Sequence, residues 1–423
     1  MRALVIGSGG REHALVVGLA ADPDVTQVHA APGNAGIAAD ASAVHDVQAT
    51  DPNAVVALTR RVGADLVVVG PEAPLVAGVA DAVRAAGVAC FGPSAAAARL
   101  EGSKAFAKDV MASAGVPTAM AHVCDTAEEV AAALDAFGAP YVVKDDGLAA
   151  GKGVVVTDDR DVALAHAAAC DQVLVEEYLD GPEVSLFCLS DGHTARALQP
   201  AQDFKRIGDG DTGPNTGGMG AYTPLPWAPA DLVPDVLERV VQPTIDEMAA
   251  RGTPFTGLLY AGLALTSRGL RVVEFNARFG DPETQAVLAL ESAPLGTLLL
   301  AAATGGLSAV EIPHFRTGAA VTVVVAAPGY PGTPRTGDPI GGLAEAGALE
   351  GVRVLHAGTR LVDGQVVSAG GRVLSVTAVG DDLARARDRA YEAVRLVDLA
   401  GGQYRTDIAA RAVAGEVTAP PLG

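Results

Sequence analysis

Residues 271–285 combine an apolar, β-branched run with charged and amide side chains in the order Glu, Asn, Arg, Asp and Glu. Because side chains alternate between the two faces of a strand, Glu274, Asn276 and Arg278 are expected to point the same way. Carboxylate and amide oxygens suit a hard metal ion, and a neighbouring guanidinium suits a phosphate or a carboxylate. The alternative is a strand end with ordinary salt bridges, and the motif by itself does not decide between the two.

Lysine is rare in this chain, and two lysines flank a glycine-rich loop. Only five of the 30 basic residues are lysines, and a chain so rich in arginine tends to keep lysine where a compact ammonium is needed. Lys144 ends an apolar strand, and Lys152 lies in loop 145–153 before the next strand. The loop is not a P-loop, because three residues separate its glycines and Gly153 follows the lysine. We predict a hairpin that holds Lys152 over a triphosphate, against a plain hairpin with an exposed lysine.

The chain opens with a strand at 2–6, a glycine turn and a helical pattern at 14–21. This order is typical of a doubly wound α/β domain, whose helix N-terminus is expected to bind an anion. A dinucleotide fingerprint would need a third glycine where Glu12 stands and an acid after the second strand. A dehydrogenase is therefore excluded, while a phosphate-binding turn remains.

Further alternation of strands and helices predicts that this first domain is a parallel α/β unit of about 100 residues. Its later elements are strand 66–69, helix 76–86 and strand 89–91. Glu72 follows the carboxyl end of its strand, which is where such sheets bind ligands. The alternative for Glu72 is a solvated turn residue.

The middle of the chain contains an acidic strand end and a long glycine-rich segment. Strand 173–179 is predicted to end in two acids beside a Gly-Pro turn, which could bind an adenine by its backbone and a ribose through Glu183. Residues 209–222 form a long polar loop, and such loops are usually functional or disordered. Helix 230–250 and strand 258–266 follow. From residue 320 the sequence turns β-rich and glycine-rich, which predicts a separate C-terminal α+β domain.

Composition limits the classes of protein. With 423 residues, 49% of them hydrophobic, the chain is globular and multidomain. A net charge of -20 without a basic run argues against nucleic-acid binding. The apolar stretch 286–303 is broken by Glu291 and Pro294, so no membrane span is expected. The four dispersed cysteines and the lack of a signal peptide predict a cytoplasmic protein without a zinc site.

The chain carries, in order, the motifs Gly7-Ser-Gly-Gly-Arg-Glu-His13, Pro32-Gly-Asn-Ala-Gly36, Gly70-Pro-Glu-Ala-Pro-Leu75, Glu101-Gly-Ser-Lys104, Asp146-Gly-Leu-Ala-Ala-Gly-Lys-Gly153, Asp211-Thr-Gly-Pro-Asn-Thr-Gly-Gly-Met-Gly220 and Glu274-Phe-Asn-Ala-Arg-Phe-Gly-Asp-Pro-Glu283. This set closely resembles the phosphoribosylamine–glycine ligase (glycinamide ribonucleotide synthetase) family of ATP-grasp enzymes. The resemblance implies an N-terminal doubly wound domain at 1–102, a central ATP-grasp fold at 103–319 with a mobile lid at about 122–185, and an α+β domain at 320–423.

The resemblance also implies the reaction, in which ATP, glycine and 5-phosphoribosylamine give ADP, phosphate and glycinamide ribonucleotide through an acyl phosphate. Both steps develop negative charge that Mg²⁺, or Mn²⁺ in its place, and cationic side chains must offset. The expected metal ligands are Glu274 and Asn276. The expected catalytic residues are Arg278, which would steady glycine's carboxylate or the transferred phosphoryl group, and Lys152.

Further site residues are carried over by the same resemblance. The expected ATP-binding residues are Lys104, Lys144, Gly151, Lys152, Gly153, Glu176, Glu177, Leu179 and Glu183. The expected substrate-binding residues are Gly9, Gly10, Glu72, Asp211, Thr212, Asn215, Gly217, Gly218, Arg278, Asp281, Glu283 and Arg372. The partners are these small molecules alone, with neither nucleic acid nor membrane, and the protein is expected to be a monomer.

The sequence departs from the family at three places. Asp145 stands where a small residue is usual, Phe204 replaces a usual histidine, and the segment 156–173 is short, which suggests a trimmed lid. Two other functions stay open: another ATP-grasp carboxylate–amine ligase, which would lack the loop at 211–220, and a regulatory protein that binds ATP without turnover.

Overall fold

The computed structural model describes residues 1–147, 153–170, 172–311 and 313–420. The first domain is built on five parallel strands, β1 (Arg2–Gly7), β2 (Gln27–Pro32), β3 (Ala43–Val44), β4 (Leu66–Val69) and β5 (Ala89–Phe91), in the order β3-β2-β1-β4-β5. Alternate residues of β1 pack into two different hydrophobic clusters, one on each face of the sheet. Both faces are therefore covered, which confirms the doubly wound domain.

The helices of this domain are α1 (Gly10–Ala20), α2 (Ile37–Asp40), α3 (Pro52–Val62), α4 (Glu72–Val76) and α5 (Val79–Ala85). The prediction of one helix over 76–86 was wrong, because Gly78 adopts a left-handed φ of +84° and separates α4 from α5. Helix α1 begins at Gly10, four residues before the predicted start at residue 14. Glu72 is the first residue of α4 and so lies directly after the turn that follows β4.

A short helix and a longer one, α6 (Arg99–Gly102) and α7 (Lys104–Ala114), lead out of the first domain. Ser103 caps α7 by accepting a hydrogen bond from the Phe106 N–H at 3.1 Å. Gly115, with φ of +67°, ends the helix in the left-handed conformation. These two caps place Lys104 in the first turn of α7 and Lys108 one turn later, on the same side.

The next region is a four-stranded antiparallel sheet with helices α8 (Ala127–Phe137) and α9 (Arg160–Ala167). Its strands are β6 (Ala121–Cys124), β7 (Tyr141–Asp145), β8 (Val154–Thr157) and β9 (Val173–Glu176), in the order β6-β9-β7-β8. Strands β7 and β8 confirm the predicted hairpin. Strand β9 ends at Glu176 and not at Leu179 as predicted, because only residues up to 176 pair with β6 and β7.

Strands β10 (Glu183–Asp191) and β11 (Ala195–Ala197) precede the glycine-rich segment. The prediction of one long loop was wrong: the chain forms β12 (Gln202–Asp203), a hairpin of β13 (Arg206–Gly208) and β14 (Thr212–Asn215), and then β15 (Gly220–Thr223). A single 3₁₀ turn, Asp209–Asp211, connects the hairpin strands. The backbone hydrogen bonds of the segment are thus satisfied by strand pairing.

The predicted helix over 230–250 is present as α10 (Leu232–Val236), a π-helical turn (Leu237–Val241) and α11 (Gln242–Ala250). Strands β16 (Thr256–Thr266) and β17 (Gly269–Asn276) then complete a second antiparallel sheet in the order β11-β10-β16-β17. Helices α12 (Glu283–Leu290) and α13 (Leu295–Thr304) follow. Residues 274–283 therefore run from the end of a strand into the first turn of a helix.

The C-terminal region is α+β, as predicted. Its strands are β18 (Ala319–Ala326), β19 (Ile340–Gly341), β20 (Val352–His356), β21 (Thr359–Val362), β22 (Gln365–Ser368), β23 (Arg372–Gly380) and β24 (Asp398–Leu399), and its helices are α14 (Leu343–Gly347), α15 (Leu383–Val394) and α16 (Ala410–Val413). The main sheet has the order β12-β15-β18-β23-β20. Two of its strands thus come from the segment 202–223, and the boundaries drawn from the sequence stay a prediction. In the described part of the chain no helix combines the length and the apolar character that crossing a bilayer requires.

Candidate active site

A cavity of about 1080 Å³ lies between the sheet of β6–β9 and the sheet of β10, β11, β16 and β17. It brings together most of the predicted residues. Those on its wall are Glu72, Lys104, Lys144, Gly153, Glu176, Glu177, Leu179, Glu183, Asp211, Asn215, Gly217, Glu274, Asn276, Arg278, Asp281, Glu283 and Arg372. Gly9, Gly10, Thr212 and Gly218 are not on this wall. Gly151 and Lys152 lie outside the described residues.

A buried carboxylate holds two lysines on one side of the cavity. Lys144 Nζ lies 2.7 Å from Glu176 Oε2, and Lys108 Nζ lies 3.0 Å from Glu176 Oε1. Burial alone would raise the pKa of Glu176, but the two ammonium groups outweigh it and lower that pKa. Lys108 also donates to Thr118 Oγ1 and to the Ala119 carbonyl. Glu176 is therefore an ionised anchor that fixes where Lys144 points.

Strand β17 carries an irregularity beside this lysine. Glu274 pairs with Gly262 while Val272 pairs with Leu263, so Val273 is an extra, bulged residue. Its carbonyl oxygen, free of the ladder, accepts a hydrogen bond from Lys144 Nζ at 3.2 Å. Lys104 reaches the same region from α7 and donates to the carbonyls of Asp145 and Gly147. The lysine ammonium groups are thus held by backbone oxygens.

Glu274 presents a carboxylate that makes no hydrogen bond or ion pair with any described residue. Burial would raise the pKa of Glu274, but Lys205, Lys144 and Lys104 outweigh it and lower that pKa. Asn276, two residues further on, also lines the cavity, and its Oδ1 lies 3.4 Å from Arg278 Nη2. The expected alternation of β17 therefore holds at its end, where both side chains reach the cavity.

The guanidinium of Arg278 sits between two carboxylates of the first domain. Its Nη2 donates to Glu101 Oε1 at 2.7 Å, and its Nε donates to Glu72 Oε2 at 3.3 Å. A third contact runs from Nη1 to the Phe279 carbonyl at 3.3 Å. Burial would lower the pKa of Arg278, but Glu101 and Glu72 keep it raised. Arg278 is thus a permanent cation on the cavity wall.

The helix N-terminus that was expected to bind a substrate anion already holds an anion of the chain. Glu12 Oε2 accepts the Gly9 N–H at 2.5 Å, and the Glu12 side chain is buried. A Cβ on Gly70 would lie 2.1 Å from Glu12 Oε1, and one on Gly7 2.5 Å from Glu12 Cγ. The glycines of this turn make room for Glu12, which caps α1 in place of a phosphate. The Gly9 N–H is therefore already engaged by Glu12, and the role of Gly9 in binding a substrate stays a prediction.

Gly9 and Gly10 instead adjoin the far end of the site. A Cβ on Gly9 would lie 3.4 Å from Asp281 Oδ2, and one on Gly10 would lie 2.7 Å from Gln285 Nε2. Asp281 accepts from Gln285 at 2.7 Å and pairs with Arg372 at 3.1 Å. Burial would raise the pKa of Asp281, but Arg372 outweighs it and lowers that pKa. All three domains thus meet at Asp281.

Arg372 binds the glycine-rich segment through one nitrogen of its guanidinium. Its Nη1 donates to the carbonyls of Gly217 at 2.5 Å, Gly218 at 3.3 Å and Asp281 at 2.6 Å. The Gly217 N–H in turn donates to the Tyr330 hydroxyl at 2.9 Å. Residues 217–218 are therefore fixed between the C-terminal domain and the turn before α12.

The hairpin of β13 and β14 contacts both the C-terminal region and strand β8. Asp211 pairs with Arg405 at 2.7 Å, and Arg405 stacks over the Phe204 ring at 4.9 Å. Thr212 Oγ1 donates to the Asp209 carbonyl, inside the hairpin. Asn215 Nδ2 donates to the Val154 carbonyl on β8 at 3.4 Å. The aromatic ring at 204, unusual for the resembled family, thus serves as a face for an arginine.

Two expected nucleotide contacts already have partners. Glu177 accepts from the Met120 N–H at 3.0 Å and pairs with Arg268 at 2.8 Å. Glu183 pairs with Lys205 at 2.5 Å, where both side chains are partly exposed. Glu283 is buried and accepts from the Tyr260 hydroxyl at 2.6 Å. Lys205 and Tyr260 themselves line the cavity, so the contacts of Glu183 and Glu283 lie at its wall.

Several residues of the cavity were not assigned a role from the sequence: Arg11, Glu101, Lys108, Asp203 and Lys205. Lys108 and Lys205 are among the five lysines, so the rarity of lysine was a usable signal. Burial and the nearby carboxylates of Glu283, Glu183 and Glu274 raise the pKa of Asp203 to about 7. The ammonium group of Lys205 opposes this shift. Nothing in the spacing of Asp203 indicated the three acidic neighbours, which lie on β10, β17 and α12.

Comparison with known protein families finds a match for each of the three parts of the chain. Residues 1–101 match the N domain of phosphoribosylglycinamide synthetase, residues 102–284 its ATP-grasp (A) domain, and residues 320–411 its C domain. The chain belongs to the phosphoribosylglycinamide synthetase family. It is therefore a ligase, and its activity is the ATP-dependent ligation of glycine to phosphoribosylamine in purine biosynthesis.

Individual relatives agree with the phosphoribosylglycinamide synthetase assignment over their whole length. A phosphoribosylamine–glycine ligase of Streptomyces coelicolor is 69% identical, with 97% of this chain and 99% of the relative covered. The enzyme of the same name from Mycobacterium bovis is 59% identical, with 99% and 100% covered. The crystal structure of the Thermotoga maritima ligase superposes with a TM-score of 0.82 at 33% identity, covering 96% of this chain and all of that one.

Proposed function

We propose that the cavity joins glycine to 5-phosphoribosylamine through a glycyl phosphate intermediate. A carboxylate is a poor electrophile, so its oxygen first attacks the γ-phosphorus of ATP and ADP leaves. The amine nitrogen of phosphoribosylamine then attacks the carbonyl carbon and loses a proton, and phosphate leaves as the amide forms. Both steps need cations around transferring oxygens, and little covalent chemistry is asked of the protein.

One observation carries this proposal: the carboxylate of Glu274, which has no ion-pair partner among the described residues, lies near Lys104, Lys144 and Lys205 at the end of β17. Carboxylate and amide oxygens suit Mg²⁺, with Mn²⁺ as a substitute, so Glu274 and Asn276 fit the divalent metal that the family implies. The described residues contain no group of three or more histidine, cysteine or acidic side chains placed for a metal. Mg²⁺ commonly takes one or two protein ligands and completes its shell with phosphates and water. When bound, it would neutralise charge on the phosphates.

The surrounding residues suit ATP. Lys104 and Lys144 would contact its phosphates, joined by Lys152 and the backbone of Gly151 and Gly153. The backbone of 177–179 would hold the adenine, and Glu183 a ribose hydroxyl. Supporting this division, Glu176 holds Lys144 in place while residues 177–179 leave the sheet and line the cavity.

The opposite end suits glycine and the amine. Arg278 would hold the glycine carboxylate or the transferred phosphoryl group, since it is a partly buried cation two residues beyond Asn276. Asp281 and Glu283 are carboxylates suited to amine and hydroxyl donors. Glu72, Gly10 and the fixed turn 217–218 would hold the phosphoribosyl part, with Asp211 and Asn215 on the hairpin beside it. Arg372 would act here by fixing that turn.

Isotope transfer tests the intermediate. Glycine labelled with ¹⁸O in its carboxylate is converted by the enzyme with unlabelled ATP and 5-phosphoribosylamine in unlabelled water. We expect one ¹⁸O atom to appear in each phosphate released, as read by mass spectrometry. Phosphate without label would overturn the acyl phosphate route. Incubating labelled product with the enzyme, ADP and phosphate controls for later exchange.

A further inference from the structure

Arg278 is held by two carboxylates of the first domain, and the two contacts are unequal. Glu101 lies at 2.7 Å with its side chain 9% exposed, whereas Glu72 lies at 3.3 Å with its side chain 30% exposed. Glu72 therefore faces the cavity and is open to exchange with a ligand. Glu101 also lines the cavity but is less exposed, and it makes the shorter, charge-assisted bond.

Glu101 uses both of its oxygens, and both contacts are on residues that follow β17. Oε1 accepts from Arg278 Nη2, and Oε2 accepts from the Ala277 backbone N–H at 2.8 Å. One buried carboxylate thus fixes the backbone just beyond Asn276 and the side chain of the next residue. Helix α6, which carries Glu101, lies at the junction of the first and second domains.

We infer that Glu101 is a positioning residue of the ligation, which aims Arg278 from the N-terminal domain into the cavity. The inference rests on the proposed role of Arg278. A guanidinium on a flexible stem has several rotamers, and a bond to each side is needed to hold its plane toward a reacting group. Glu101 provides the bond that stays when a substrate displaces Glu72. No contact between Glu101 and a substrate is required.

The substitution Glu101→Gln separates this role from packing. An amide has the shape of a carboxylate but only one acceptor oxygen, whereas Glu101 faces two donors. In Glu101→Gln the NH₂ group of the amide must therefore face another donor, either the Ala277 N–H or Arg278, and that hydrogen bond is lost. We expect kcat to fall about 10- to 100-fold, with the dissociation constant for ATP changed less than threefold, since a loss of alignment lowers the rate of chemistry and not ATP binding. Glu72→Gln, which removes the charge of the longer and more exposed contact but keeps one acceptor oxygen for Arg278, is the matched control and is expected to raise the KM for 5-phosphoribosylamine.

The double variant Glu101→Gln/Arg278→Lys makes the test specific, with single-turnover rates at high enzyme concentration. Lysine keeps the charge but cannot make the two-sided contact. If Glu101 acts through Arg278, adding Glu101→Gln to Arg278→Lys costs less than threefold more. Losses that multiply, an unchanged kcat in Glu101→Gln, or a parallel loss of ATP affinity would overturn the inference. Full activity of Arg278→Lys and Arg278→Ala would instead reject the proposed role of Arg278 itself.

Discussion

The carboxylate shared by Lys108 and Lys144 is expected to contribute measurably to the stability of the sheet of β6–β9, which borders the cavity. The side chains of Glu176, Lys144 and Lys108 are only 4%, 6% and 14% exposed, and the two ion pairs measure 2.7 and 3.0 Å. Glu176→Gln keeps the shape and leaves two buried ammonium groups without their counter-charge. Removing one partner of a buried pair costs about 3–5 kcal/mol. We therefore expect the free energy of local opening of β7 and β9 to fall by about 3–5 kcal/mol in Glu176→Gln.

Hydrogen exchange of the amides in β7 and β9 measures that opening directly. A loss of about 3–5 kcal/mol corresponds to a reduction in protection of about a hundred- to several-thousand-fold, at 1.4 kcal/mol for each factor of ten. Asp235→Asn is the control, because its pair with Arg239 is 28% and 48% exposed and such pairs are worth about 1 kcal/mol or less. A change below about fivefold in Glu176→Gln would refute the reasoning.

The effect of Glu176→Gln on amide protection is expected to depend on pH in a defined way. The pKa of Glu176 is lowered in the folded protein by Lys144 and Lys108. Its stabilisation is therefore present above the unfolded pKa of about 4.3 and is lost as the pH falls through the lower folded pKa. The difference in protection between the wild type and Glu176→Gln should be constant from pH 6 to 8 and shrink only under acid conditions. A difference that shrinks between pH 8 and 6 would contradict the assigned partners.

Two further predictions concern the acids that face the cavity. Glu274→Gln should lower metal-dependent turnover by about two orders of magnitude or more while the protein stays folded, because the proposed metal site loses a charged ligand; wild-type turnover across a Mg²⁺ titration would reject the metal role. Asp203 has a pKa raised to about 7, so the folded chain keeps a proton that the unfolded chain releases, and stability falls as the pH rises from about 4 to 7. Asp203→Asn should therefore be stabilising, by up to about 4 kcal/mol at pH 8 and less at pH 5.5; a melting-temperature gain that is equal at both pH values would contradict this.

Local sequence patterns were sufficient to predict the features that depend on residues close together in the chain. The alternation of Glu274 and Asn276 could be predicted because a strand has a period of two. Lys104 and Lys144 could be found because lysine is rare and each stands at the start or end of an element. The doubly wound domain followed from strands and helices in regular alternation.

Contacts across long stretches of chain could not be predicted in this way. Glu101 reaches Arg278 across 177 residues, and no local pattern links them. The bulge at Val273 depends on how β17 registers with β16, which the residue pattern of one strand does not define. The contact of Glu12 with the Gly9 N–H could not be predicted either, because the space for Glu12 depends on Gly70 of a different strand end. Segment 202–223 contributes two strands, β12 and β15, to the C-terminal sheet. This placement could not be predicted either, because it depends on pairing with strands far away in the sequence.

The dependence of ADP release on both co-substrates tests the central claim most directly. The enzyme is given ATP and Mg²⁺ with glycine and freshly formed 5-phosphoribosylamine, and each co-substrate is then omitted in turn. The account predicts many turnovers of ADP only when both are present, with at most one ADP per enzyme when the amine is missing. Sustained ADP release at the same rate without glycine would contradict it.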